Sequence, residues 1–407
     1  MIFIYYKKKL SILSFLILLF LCVMIQKSDN KNIENKLNRY IKYKSKCKLK
    51  YYDFEKELPA IKNYLKLLKE NYFKIKEYKL KTDKPKVSFI ASVYNKEKYL
   101  SRFISSIQNQ DLQDYELIIV DDYSNDKSTE VIDKFKNKDY RMQLIENKKN
   151  MGSLYTRYIG SLYSKGEYII FLDSDDIILK EGILKAYNHI KRKKLDMIEF
   201  HSVFEMNESF IYISRRYYKY SDIIYQPILS YIYYFRDNEG VELNTALWDK
   251  LIKKESVLKS FSYIGENNIN KKIFVENDVV ILFALFKNSN SFQYIDELGY
   301  YHFFNNNDSI TNTRYEPKNA NRIIYSIFYN IKILFEITEN TFLDKLFSVF
   351  KLEQGYNTYK ICLKYMNSEY KLIKIVLNEF LDSKYISLNH KKIIKNIKKR
   401  NCFLRKL

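Results

Sequence analysis

The chain is poor in cysteine: Cys22, Cys47, Cys362 and Cys402 are the whole complement of 407 residues. None falls in a C-x-x-C or comparable metal-ligand spacing, and Cys22 lies inside an apolar run, so a disulfide framework is not expected. Acidic residues are also in deficit, 48 against 70 Lys and Arg, which leaves a formal net charge of +22. A surplus of that size invites a polyanionic partner. Lys, Asn, Ile and Tyr are abundant throughout, however, so the charge reads as a bias of the whole chain, and no nucleic-acid partner is expected. Disorder is excluded by a hydrophobic content of 46%, and the length accommodates one large domain or two modest ones.

A cleavage signal is missing as well. Lys7, Lys8 and Lys9 precede LSILSFLILLFLCVMI, residues 10–25, which carries no charge. Nothing like A-x-A closes this run, so an uncleaved N-terminal membrane anchor over 1–26 is preferred to a signal peptide. The run is short for a span of about 20 residues and suits a thin bilayer, which points to a single-pass protein of the endoplasmic reticulum or Golgi. Lys27, Lys31, Lys36, Arg39, Lys42 and Lys44 follow it as densely as the three lysines precede it, so its orientation stays open.

Residues 27–84 are Lys-rich with Ile61, Leu65 and Leu68 at helical spacing, the pattern of a helical stem. From Pro85 the character changes. KVSFIASVY (86–94), YELIIVDD (115–122), MQLIEN (142–147) and YIIFLDSDD (168–176) have the length and apolarity of strands. Stretches of helix length separate them, Lys98 to Asn109, Lys127 to Asn137 and Ser153 to Lys165. This alternation predicts an α/β fold, a Rossmann-like, mostly parallel sheet with flanking helices. Ligands of such sheets sit at the carboxyl ends of the strands, where two of these strands deliver acids.

The acids after YIIFL need an explanation. Asp173, Asp175 and Asp176 crowd like charge at the end of a buried strand, and that repulsion is relieved by protonation or by a cation. A hard divalent ion with oxygen ligands, Mg²⁺ or Mn²⁺, is the natural candidate, and a solvated turn is the plainer alternative.

SVYNKEKYL (92–100), SSIQNQ (105–110), VDDYSNDKS (120–128), ENKKNMGSLYTRYIG (146–160) and GEYIIFLDSDD (166–176) occur in an order and at spacings that resemble glycosyltransferase family 2, the inverting nucleotide-sugar-dependent enzymes of GT-A fold. The resemblance implies that the loop Ser92 to Asn95, with Val93, Tyr94 and Asn95, holds the nucleotide. It implies that Asp122, with Asp121 beside it, accepts from a base that is usually uracil. Arg157 would face the diphosphate, and Asp173 and Asp175 would form the D-x-D pair that binds the donor diphosphate through Mn²⁺ or Mg²⁺. Two positions depart from the family pattern: Ser92 stands where proline is usual, and Tyr158 where asparagine is usual. Asp121 and Asp122 could equally cap the following helix, and Arg157 could be a surface cation.

Residues 274–310 resemble the second half of the same family. Aligning on QYIDELGYYH puts Asp278 at the catalytic base, with Asn277 replacing the preceding glutamate and Glu276 as a local competitor. Both acids could instead complement a helix N-terminus. His302 lies where some GT-A enzymes offer a further metal ligand, against its alternative as a packed residue. Trp248 resembles an acceptor-side residue and is equally readable as core. The Q-x-x-R-W signature and multiple spans of processive synthases are absent, which favours single transfers.

The implied organisation is an anchor over 1–26, a stem over 27–84, a nucleotide-sugar-binding half over 85–202, an acceptor and catalytic-base half over 203–312, and a helical C-terminal region over 313–407. NHKKIIKNIKKR (389–400) can form a basic amphipathic helix, on a membrane surface or in solvent. The sequons at Asn207 and Asn307 matter only for a luminal domain. The leading expectation is a membrane-anchored inverting glycosyltransferase using a UDP-sugar and a divalent metal, with a glycan, lipid or protein acceptor. The rivals are a non-catalytic nucleotide-sugar or glycan-binding protein on the same fold and a phosphate- or nucleic-acid-binding module.

Overall fold

A computed structural model describes residues 58–71, 77–78, 83–207, 210–214, 223–226, 246–273, 275, 277–303 and 317–337. The expected anchor over 1–26, Glu276, Asn307 and the basic segment 389–400 lie outside them. Among the described residues no helix is long and apolar enough to cross a membrane.

The expected strands form as β1 (Val87–Val93), β2 (Tyr115–Asp121), β3 (Met142–Glu146) and β4 (Tyr168–Asp173). The intervening helices are α2 (Glu97–Gln108), α3 (Ser128–Lys136) and α4 (Ser153–Tyr163), after an earlier α1 (Leu58–Asn71). Next come β5 (Ile177–Ile178), α5 (Gly182–Lys193), β6 (Met197–Asn207), β7 (Phe210–Ser214) and β8 (Ile224–Tyr225). The described chain closes with β9 (Lys250–Lys253), α6 (Lys254–Ile264), α7 (Glu266–Ile269), α8 (Asn277–Asn288), β10 (Ser291–Phe303) and α9 (Pro317–Ile337).

All the strands belong to one sheet, in the order β3-β2-β1-β4-β9-β6-β10-β5, with β7 on β6 and β8 on β10. The first four are parallel neighbours. Strand β9 runs antiparallel between β4 and β6 and joins the two halves of the sheet. The pairing of β10 with β6 is parallel and irregular around Leu298. This is the architecture of a GT-A fold.

Side-chain alternation explains why the parallel strands are apolar almost throughout. Phe89 and Ala91 of β1, Leu117 and Ile119 of β2, and Ile170 and Leu172 of β4 point into one core, against α2, α3 and α5. Ile90, Ile118, Val120, Ile169 and Phe171 point into the other, against α4, α6, α8 and α9. Helix α8 is buried continuously from Val280 to Phe286, so packing on all sides fixes it, and with it the residues of its first turn. The described part of the expected stem is not a projecting element. Ile61 and Leu68 of α1 pack with Ile177, Leu179, Val203 and Tyr301, and the Tyr64 hydroxyl donates to the Ile178 carbonyl at 3.1 Å.

Helix α5 meets β10 where Gly182 leaves no room for a side chain: a Cβ there would lie 2.2 Å from the Leu298 carbonyl oxygen and 2.5 Å from Gly299 Cα. Both neighbours are backbone and cannot rotate aside. Gly182→Ala is therefore expected to lower stability by about 1–3 kcal/mol through overpacking. Urea denaturation checks this; an unchanged midpoint would mean that α5 is not held against β10.

Candidate active site

Register places the expected residues at one edge. Val93 pairs with Asp121 across β1 and β2, and Ser92 pairs with Asp173 across β1 and β4. The loops after β1 and β2 are stitched together: Asn95 N–H donates to Ser124 Oγ at 2.9 Å, and Asn125 N–H donates to Asn95 Oδ1 at 2.8 Å. Asn95 and Tyr123 both take left-handed backbone, φ 53° and 68°, which is costly for a tyrosine and marks a loop held by its surroundings. Tyr94 and Tyr123 stand 44% and 52% exposed, open to the edge where a planar base could lie.

The two acids of VDD are engaged by their own loops. Asp121 accepts from Ser124 N–H at 2.9 Å and Ser124 Oγ at 2.5 Å. Buried Asp122 accepts from Asn147 Nδ2 at 2.9 Å and from the N–H groups of Met151 and Gly152, both at 2.7 Å. It thereby fixes the turn that starts α4. The Val93 carbonyl accepts from Asp122 N–H at 2.8 Å, so Val93 contributes backbone alone at this edge.

Arg157, on α4, is buried and joins the two sides of the site. Its Nη2 lies 3.3 Å from Asp173 Oδ1, while Nη1 donates to Asn277 Oδ1 at 2.7 Å and, in a closer contact, to Asp278 Oδ1. Asn277 in turn donates to Ser153 Oγ at 2.6 Å. The fork expected to face a diphosphate thus holds carboxylates here. Asn277, where the family usually shows glutamate, completes the fork without adding a charge. Burial opposes the charge of Arg157, yet Asp278 and Asp173 more than offset it and hold the guanidinium ionised. The side chains of Asp173 and Asp278 are 37% and 28% exposed, so both acids are partly open to solvent.

Asp173 is strongly perturbed. Its surroundings remove water, Arg157 opposes, and Asp176, Asp278 and Asp175 repel, with the result that its pKa is raised to about 7. Asp175 behaves differently. Burial would raise it, but Lys96 Nζ at 2.6 Å outweighs that and holds the carboxyl below the usual range.

Asp176, outside the D-x-D pair, is buried and well partnered. It accepts from the Tyr300 hydroxyl at 2.8 Å, from Phe303 N–H at 3.0 Å, and meets His302 Nδ1 at 2.8 Å. The Tyr300 hydroxyl also accepts from Asp173 N–H at 3.4 Å. Trp248 is buried in this knot, stacked on Tyr300 with centroids 4.4 Å apart and on His302 at 5.6 Å. It sits in the core, not at an exposed sugar platform. Burial disfavours the charged form of His302, but Asp176 and then Asp173 and Asp175 raise its pKa to about 9. Neither Asp176 nor Lys96 was among the expected site residues. Only the run of acids itself pointed to Asp176.

Among the described residues no group of three or more His, Cys, Asp and Glu is arranged to hold a metal ion. The donor set still fits a hard divalent cation, because such ions are commonly held by one or two carboxylates with substrate phosphates completing the shell. Desolvation first, and the neighbouring acids Asp176, Asp278 and Asp175 after it, raise Asp173 to about 7, and a cation beside this carboxyl would favour its charged form. His302, tied to Asp176 and cationic near neutrality, is a poor ligand as it stands.

Residues 88–245 match the family model described as Glycosyl transferase family 2. An uncharacterized glycosyltransferase of Haemophilus influenzae is 42% identical over 28% of this chain and 45% of its own length. A cholesterol galactosyltransferase of Borreliella burgdorferi is 29% identical over 54% of this chain and 60% of its own. The poly(ribitol-phosphate) beta-N-acetylglucosaminyltransferase TarP of Staphylococcus aureus is 42% identical over 28% and 35%. The chain therefore spans 35–60% of the length of these curated relatives. Among solved structures, S. aureus TarS 1–349 in complex with UDP-GlcNAc is similar at 18% identity and TM-score 0.47, over 73% of this chain and 78% of that one.

The His302–Asp176 tie has a pH signature. A histidine raised in the folded state adds stability below its unfolded pKa of about 6.5 and loses it as pH rises through the folded value, here about 9. Stability should therefore fall between these limits. In His302→Phe that part of the slope should vanish, as read by denaturation midpoints across the window. An imidazole resonance titrating at an ordinary value would contradict the assignment.

Proposed function

Because residues 88–245 are a glycosyltransferase family 2 domain on a GT-A sheet, we propose that the protein transfers a sugar from a nucleotide-sugar, a UDP-sugar, to an acceptor hydroxyl with inversion at the anomeric carbon. The observation that carries this reading is the Arg157 bridge. One buried guanidinium touches Asp173 at the carboxyl end of β4 and Asp278 at the start of α8, so a candidate donor-side acid and a candidate base stand beside one another. An inverting transfer needs a base near the donor and across the reacting carbon from the leaving group, and Asp278, held beside Asp173 by the same guanidinium, is the acid in reach for that part.

In this reading the loop Val93 to Asn95 and the exposed faces of Tyr94 and Tyr123 receive the base and ribose. Asp121 and Asp122 hold those loops in shape, which leaves a limited share of their hydrogen-bonding capacity for the base itself. Asp173 and Asp175 would hold Mg²⁺ or Mn²⁺, which would supply an electrophile for the negative charge growing on the departing diphosphate. Asp278 takes the proton of the acceptor hydroxyl as the new bond forms. Arg157 holds Asp278 in position through the Nη1 contact, and Asn277 and Ser153 keep Arg157 in place. The acceptor is a glycan, lipid or protein. The activities named for the curated relatives, onto a sterol in one and a poly(ribitol-phosphate) in another, support acceptor diversity at this site. The apolar run 10–25 supports attachment to a membrane in a single pass.

A screen of nucleotide-sugars for metal-dependent release of UDP tests the reaction and names the donor. Asp278→Asn is expected to lower turnover by about 10²–10⁴-fold, the usual worth of a general base, while leaving Mn²⁺-dependent UDP binding within about twofold. Unchanged turnover in this variant would move the base elsewhere. UDP binding without release from any sugar nucleotide would favour a non-catalytic binding protein.

A further inference from the structure

Lys96 has no assigned part in the transfer, yet it is firmly built into the site. Its backbone is fixed at the start of α2: its N–H donates to Ser128 Oγ at 2.9 Å, and its carbonyl accepts from Tyr99 N–H at 2.9 Å and Leu100 N–H at 3.2 Å. The side chain crosses to the turn after β4, where Nζ meets Asp175 Oδ2 at 2.6 Å, with the two side chains 17% and 16% exposed. Helix α2 grips the same turn a second time, through Arg102 Nη2, which donates to the Asp175 carbonyl while the guanidinium lies 3.8 Å from the centre of the Phe303 ring. A charge pair this sheltered is weakly screened. A divalent ion that binds Asp175 while Lys96 stays on Oδ2 places two cations within a few ångströms of each other in a sheltered site, and their repulsion opposes joint occupancy.

Resting on the reading of Asp173 and Asp175 as cation ligands, we propose that Lys96 is a resident counter-cation that occupies Asp175 in the donor-free protein and is displaced when a divalent ion arrives with a nucleoside diphosphate. A metal ion alone must expel the lysine with nothing to receive it. A metal ion paired with a diphosphate brings negative charge to which the released ammonium can turn. Loading is therefore coupled: the bare cation binds weakly, and cation and nucleotide enter together. Asp173, bound to Arg157 at the longer distance of 3.3 Å, is the acid a cation meets first.

The test is Mn²⁺ binding to the full chain, read by the electron paramagnetic resonance signal of free Mn²⁺, with and without UDP. Lys96→Met is expected to bind Mn²⁺ about tenfold or more tightly than the parent protein when UDP is absent. Lys96→Arg should stay near the parent, and the gain in Mn²⁺ affinity that UDP brings to the parent should shrink in Lys96→Met by a similar factor. Lys96→Ala serves as a second neutral variant if thermal melting shows Lys96→Met to be unfolded. Equal or weaker Mn²⁺ binding in the folded neutral variant, with the parent still binding Mn²⁺ together with UDP, would overturn the role of Lys96 and leave the cation reading of Asp173 and Asp175 intact. No Mn²⁺ binding by any form, even with saturating UDP, would overturn both.

Discussion

The site depends on how a crowded set of carboxylates is partnered at the edge of a buried sheet. Four acids, Asp173, Asp175, Asp176 and Asp278, act on one another, and each is assigned its own positive or hydrogen-bonding partner. Arg157 serves Asp173 and Asp278, Lys96 serves Asp175, and Tyr300, His302 and the Phe303 amide serve Asp176. Removing one partner would leave a buried or half-buried charge unmatched, which is far costlier than never having formed the pair. The arrangement explains why cations come from α2, α4 and β10, three elements that otherwise have no reason to converge.

These elements can converge because the sheet is continuous. Strand β9 links the parallel half to β6 and β10, and this brings Tyr300 and His302 to within hydrogen-bonding distance of Asp176, 124 and 126 residues earlier in the chain. The expected division at residue 202 falls inside β6, a single strand that runs from Met197 to Asn207. The two halves also meet on one guanidinium, that of Arg157, which contacts Asp173 and Asp278. The buried α8 sets where Asp278 can stand, and the turn fixed by Asp122 sets where Arg157 begins its reach.

Much of the parallel half was legible in the sequence because period-two burial on both faces leaves runs such as YELIIV and YIIFL with few other readings. The edge residues followed from motif order, and Asp173, Arg157 and Asp278 do meet. The pairings were not legible. Nothing local in SVYNKEKYL says that Lys96, among its neighbours Glu97 and Lys98, reaches a carboxylate 79 residues away. Trp248 could be read as core or as a sugar platform until the stack on Tyr300 placed it. Helix α1 carried an amphipathic pattern that is equally suited to a free stem and to a docked helix, and only the partner surface of Ile177, Val203 and Tyr301 distinguishes the two.

The stack at Trp248 has an optical corollary. This indole is the chain's sole tryptophan, and it lies flat against an imidazole that is charged near neutrality. Through Tyr300 and His302, which both meet Asp176, its emission is linked to the acids of the D-x-D turn. Any ligand that reorders the acids would register in this emission without a label.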